Sequence, residues 1–138
     1  MKLGFIARND LADVEADAKF AAAYDFEGLE FNYWKTFEDL TAKTVTEMRT
    51  ILDKHGMDAS ALGLWGWNHI SPDPEERQVS LEHLNRAIEF AKILDASILI
   101  TGGGQIPGGS LEDNVAEFVK VFPPFVEKAQ DAGLQIAL

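Results

Sequence analysis

The sequence contains no cysteine, which excludes disulfides and thiolate metal ligands and agrees with a reducing compartment. Basic residues are scarce. Twelve Lys and Arg stand against 23 Asp and Glu, for a formal charge of −11 and a pI of about 4.5. A surface of that sign repels phosphate backbones, so nucleic acid and anionic membranes are poor partners. No run approaches the ~20 apolar residues of a membrane span. The opening residues 1–8 hold too short an apolar stretch for a secretory signal, and a cytoplasmic setting is expected. Low-complexity tracts and interdomain linkers are missing too. The rest is ordinary globular composition, 46% hydrophobic and 25% charged over 138 residues. That length favours one domain over 1–138 and allows roughly two-thirds of the unfolded surface to be buried.

The apolar pattern alternates between two periods. Short runs at 3–7, 28–32, 59–65, 97–101 and 134–138 read as five strands. Between them apolar residues fall at helical spacing: Leu11, Val14, Ala18 and Ala21; Val45, Met48, Ile51 and Leu52; Leu81, Leu84, Ala87, Ile88, Ala91 and Leu94; then Val115, Phe118, Val119, Phe122, Val126 and Ala129. Gly56 suits a helix C-terminal cap, and Ser110 with Asp113 resembles a capping box. Pro123-Pro124 predicts a kink in the last helical stretch, or two helices with proline opening the second.

Strand-helix alternation predicts α/β architecture with parallel strands. Two folds compete. A flavodoxin-like open sheet fits the length. Part of a (β/α)₈ barrel, about four βα units and a fifth strand, fits the strand chemistry. Leu3, Phe5 and Ala7 alternate with Gly4. Leu29 and Phe31 alternate with Gly28, Glu30 and Asn32. Ile98 and Ile100 alternate with Ser97 and Thr101, although Leu99 breaks that last pattern. Central strands of an open sheet, covered on both faces, read instead as continuous apolar runs.

Barrels of this kind place working groups at the C-terminal ends of strands. That rule selects Arg8 and Asn9, Glu30 and Asn32, Trp65, Trp67 and His69, and 101–104. A carboxylate within a sheet costs several kcal/mol unless paired or solvated, so Glu30 is either a site group that positions a hydroxyl or a structural acid paired with a base such as Arg8. Trp67 and His69, in "LWGWNH", are either ligand contacts or a plug with a surface histidine. Indoles pack against sugar faces, and imidazole donates, accepts or binds metal. Trp65 reads as core, His55 as a helix-end residue and His83 as solvent-facing. "TGGGQIPGGS" is either a backbone cradle for phosphate or a mobile loop, and it lacks the P-loop and GxGxxG spacings. Neither a serine triad nor a metal-ligand cluster is legible.

Several segments resemble the sugar phosphate isomerase/epimerase family of xylose-isomerase-like barrels: "KLGFIA", "FEGLEF", "ILDKHGMDASALGLW", "SPDPEERQVSLEHLNRAIEFAKILDASILITGGG" and "VEKAQDAGLQIAL". The resemblance covers the N-terminal half of that fold. It implies a metal-dependent isomerase or epimerase of a sugar or sugar phosphate, using Mn, Mg, Co or Zn to acidify a C–H beside a carbonyl while carboxylates move the proton. It places Glu30, Trp67 and His69 at the substrate mouth. The four metal ligands it implies arise from strands five to eight, the first directly after a run such as "LQIAL", where this sequence stops. No cofactor is therefore expected for this chain alone, and no turnover. A homo-oligomer, or pairing with a missing C-terminal half, is the alternative role. Related DNA-repair endonucleases share the barrel, but the acidic charge disfavours them.

Overall fold

A computed structural model describes residues 2–138. The elements follow in the order β1 (Gly4–Ala7), α1 (Leu11–Ala23), β2 (Gly28–Tyr33), a 3₁₀ turn (Lys35–Asp39), α2 (Ala42–His55), β3 (Asp58–Leu64), α3 (Pro74–Leu94), β4 (Ile98–Thr101), α4 (Leu111–Val121), α5 (Pro123–Asp131) and β5 (Gln135–Ala137). The five strands form one open sheet, all parallel, in the order β1-β2-β3-β4-β5. A flavodoxin-like sheet runs 2-1-3-4-5, so that alternative is excluded. Strands in sequence order are the arrangement of a (β/α) barrel, here about half of one.

Local chemistry sets the helix ends. Asp73 caps α3, its Oδ1 accepting from Glu75 N at 2.8 Å and Glu76 N at 3.0 Å, with Pro74 in the first turn where no N–H is needed. Gly56 ends α2 with φ of 69°, in the left-handed region that glycine occupies without cost. The capping box at Ser110 and Asp113 forms as its spacing suggests. Pro123 separates α4 from α5.

The pairing register sorts side chains onto two faces. Phe31, Leu29, Leu62, Leu64 and Leu99 are each no more than 1% exposed and pack beneath the helices. The opposite, inner face carries Ile6, Glu30, Asn32, Ile98 and Ile100, and Ile6 is 64% exposed. β4 reverses the expected sense. Its isoleucines point inward, while Leu99 and Thr101 point to the helices. A threonine is tolerated there because its hydroxyl bonds both Leu64 O and the His69 ring. α4 departs from expectation as well. Val115 and Val119 are 52% and 62% exposed; Phe118 stacks on the buried cap residue Phe122 at 3.8 Å, and Glu117 pairs with Arg77 of α3 at 2.7 Å.

Candidate functional site

On the inner face three polar side chains join in one directed chain. Trp65 Nε1 donates to Asn32 Oδ1 at 2.6 Å, and Asn32 Nδ2 donates to Glu30 Oε1 at 2.7 Å. Among the described residues Glu30 has no basic partner: Arg8, the base considered for it, instead reaches back to Asp13 and Asp17 of α1. Glu30 also lines a cleft of about 660 Å³ that opens at the N-terminal ends of the strands, among Lys2, Ile6, Gly28, Asp58 and Ile98, and that does not include Asn32, Trp65 or Trp34. At the top of the chain Trp65 stacks on Trp34, centroids 6.2 Å apart and planes at 27°. Trp34 is 60% exposed. Trp65, read from sequence as core, is half-buried and faces this site.

Two glycines make room for the arrangement. A side chain at Gly63 would overlap Asn32 Oδ1 and come within 2.7 Å of Trp65 Nε1, and one at Gly66, where φ is 80°, would press within 3.2 Å of Trp34. Sequence reasoning missed Trp34. The available signal was parity, since Glu30, Asn32 and Trp34 fall two residues apart and share a face.

His69 lies elsewhere. It is fully buried on the helix side of the sheet, not at the surface. Thr101 Oγ1 gives its proton to Leu64 O at 3.0 Å and therefore accepts from His69 Nε2 at 2.9 Å. Ser80 Oγ is 2.6 Å from Nδ1 and donates to it. The ring is thus held neutral with its proton on Nε2, and burial pushes its pKa down to about 4.

Trp67 packs against two groups. His83 stacks on it at 4.0 Å, and Lys35 Nζ lies 4.1 Å from a ring centroid of the indole. The side chain is half-buried and also lines a cleft of about 300 Å³ with Glu38 and Val79. His83 is 8% exposed, a correction to its expected solvent-facing position, because Trp67 and Phe37 pack against its ring while Nδ1 donates to Val79 O at 2.7 Å. The glycine-rich loop after β4 is pinned. Asn68 bonds both backbone groups of Gln105, at 2.8 and 2.9 Å, and Asn114 accepts from Ile106 N at 2.6 Å. Those two N–H groups are spent on the protein itself.

Among the described residues no three His, Asp or Glu converge to hold a metal ion. A divalent metal of the kind the resemblance implies has no ligand set on these residues. No helix is long and apolar enough to cross a membrane.

No curated protein matches the chain by sequence. Solved structures do match. D-psicose 3-epimerase from Clostridium cellulolyticum, solved with D-tagatose, superposes with a TM-score of 0.79 at 16% identity, over 100% of this chain and 52% of that one. D-allulose 3-epimerase from a Methylomonas species, in complex with D-allulose, gives 0.78 at 21% identity, over 100% and 50%. A probable 3-DHS dehydratase from Bacillus anthracis gives 0.69 at 15% identity, over 100% and 52%. At such identities the likeness establishes the fold, on which more than one chemistry is built. The chain spans about half the length of these structures. The family model for xylose isomerase-like TIM barrels matches residues 18–138. With the sequential parallel sheet and its one-sided helical layer, that match establishes that the chain belongs to the xylose isomerase-like TIM barrel family.

Proposed function

We propose that this chain is the N-terminal half of a divalent-metal-dependent isomerase or epimerase acting on a sugar or sugar phosphate. The observation that carries the reading is Glu30. Its carboxylate stands on the inner face of a barrel-type sheet, pairs with no cation among the described residues and receives a hydrogen bond from Asn32. A carboxylate so placed is suited to accept a hydrogen bond from a substrate hydroxyl. Two of the structural neighbours are epimerases solved with D-tagatose and D-allulose, which makes small ketoses the first substrates to test. His69 and Trp67 serve this reading indirectly, by anchoring the loop between β3 and α3 beside the site. The described residues offer no metal site, so the reading gives them substrate binding and leaves proton transfer to groups beyond them. A cytoplasmic setting completes it.

The test is an epimerisation assay on D-allulose, D-tagatose and D-fructose with Mn, Mg, Co or Zn, alongside a metal titration. The chain alone is expected to show no turnover and no tight metal binding. Robust activity from it would overturn the half-barrel reading.

A second reading, an assembly module without catalysis of its own, is favoured by the uncovered inner face and the open edges at β1 and β5. Unpaired edges template pairing with another chain. Light scattering decides: a clean monomer at high concentration excludes self-association.

A further inference from the structure

We propose that residues 102–121, the glycine-rich loop together with α4, form one hinged strap, and that Asn68 is the latch that holds it closed against the loop after β3. The device does not depend on which molecule the protein handles.

The strap has a hinge at each end. At one lie Gly102, Gly103 and Gly104. A side chain at Gly102 would meet nothing, and Gly104 takes a φ of 91°, which glycine adopts without cost. At the other, Pro123 and Pro124 supply no N–H, so the hydrogen-bond ladder of α4 is not continued into α5. Between the hinges the segment is tied to itself. Asn114 Oδ1 accepts from Ile106 N at 2.6 Å, and its Nδ2 donates to Ser110 O at 2.8 Å, so the loop from Ile106 onward travels with the first turn of α4. The grip of this unit on the rest of the molecule is slight. None of the residues of α4 is buried. Apolar contact gathers at its far end, where Phe118 and Val121 pack on the core and Phe122 is 1% exposed. The glycine end is therefore the end that swings.

Asn68 ties that end down. Its side chain bonds both backbone groups of Gln105, at 2.8 and 2.9 Å, as a neighbouring strand would. It is mounted on a fixed base, because His69 and Ile70 are buried and Arg77 Nε donates to Ser71 O at 2.6 Å. A side chain at Gly104 would run into Asn68 Oδ1, so glycine stands where the latch closes. Arg77 also pairs with Glu117 at 2.7 Å, a second tie midway along α4. Opening the latch frees the N–H and C=O of Gln105 near the C-terminal ends of β3 and β4, the end of the sheet where barrels place their working groups. Moving parts of this kind are drawn from the least stable segments of a fold.

The experiment measures distances between spin labels on the intact chain, where the absence of native cysteine makes two introduced ones specific. One pair, at Glu75 and Leu111, spans α3 and the strap. A control pair, at Glu75 and Glu127, spans α3 and α5. Asn68→Ala should raise the ratio of a longer to the shorter distance for the Leu111 pair about tenfold, through loss of two hydrogen bonds. Gly104→Ala breaks the same latch from the loop side and should do the same, which keeps the test decisive if Asn68→Ala does not fold. The double variant should open no further than either single one, since both remove one interaction. The control pair should stay fixed throughout. An unchanged Leu111 distance in the folded variants, additive effects in the double variant, or a control pair that moves equally would overturn the strap.

Discussion

His69 Nε2 donates to Thr101 Oγ1 at 2.9 Å, and both residues are completely buried between the sheet and α3. The pair ties the loop after β3 to the end of β4. It also makes the chain sensitive to acid. The unfolded imidazole titrates near its ordinary value of about 6.5, and the folded one near 4 because burial disfavours its charged form. Above about 6.5 neither state binds the proton and the full stability is present. Between 6.5 and 4 only the unfolded chain binds it, so stability falls as pH falls, and the loss is complete below 4. The gap corresponds to roughly 3 kcal/mol. Urea denaturation at pH 7.5, 5.5 and 4.5 should show this slope, and His69→Gln should flatten it.

Thr101→Val keeps the shape of the side chain and removes its hydroxyl. His69 Nε2 and Leu64 O then lose the group that served both. Leaving buried polar groups unpaired costs about 1–3 kcal/mol, and Thr101→Ser should restore most of it. Denaturant midpoints for the two variants would measure the difference.

Gly63→Ala places a methyl where Asn32 Oδ1 already sits. Asn32 must move, and the bond from Trp65 must break with it. The expected loss is about 1–3 kcal/mol in thermal or chemical unfolding, with a change in tryptophan emission in the folded state. Unchanged emission would mean that the network tolerates the methyl.

α4 and the residue that caps it offer a paired contrast. Val119→Lys, at a position 62% exposed, should change stability by no more than about 0.5 kcal/mol. Phe122→Ala, at 1% exposure, should cost about 3–5 kcal/mol. The same periodic pattern in the sequence had made both residues core.

Ile6→Lys probes the inner face. Ile6 is 64% exposed on an edge strand, so the fold should tolerate the charge. If copies of the chain associate through this face or edge, the variant should shift the equilibrium to monomer, as sedimentation or light scattering at matched concentrations would show.

The order and type of elements were legible because each strand and helix carries its own period, and because caps such as Gly56 and Ser110 mark ends locally. The short 3₁₀ turn at Lys35–Asp39 left no comparable signal. Faces were harder to read. In β4 two isoleucines and a threonine invited the wrong assignment, since the partner that lets Thr101 be buried, His69, is 32 residues away in sequence. Val115 and Val119 met the helical period but not the sheet, because periodicity names a face without naming what covers it. The place of Glu30 on the inner face was legible from its parity between Leu29 and Phe31. Trp34 was passed over because it lies just beyond the strand, and Trp67 drew attention by mere proximity to His69.

The strand order β1-β2-β3-β4-β5 has a kinetic consequence as well. Every strand pairs with its neighbour in sequence across a single crossover, so no pairing waits for a distant segment to be synthesised. Loop closure is repeated at short range and never demanded at long range. Each completed βα unit presents the next strand with a ready edge, and the sheet can grow from the N-terminus as the chain emerges, one templated addition at a time.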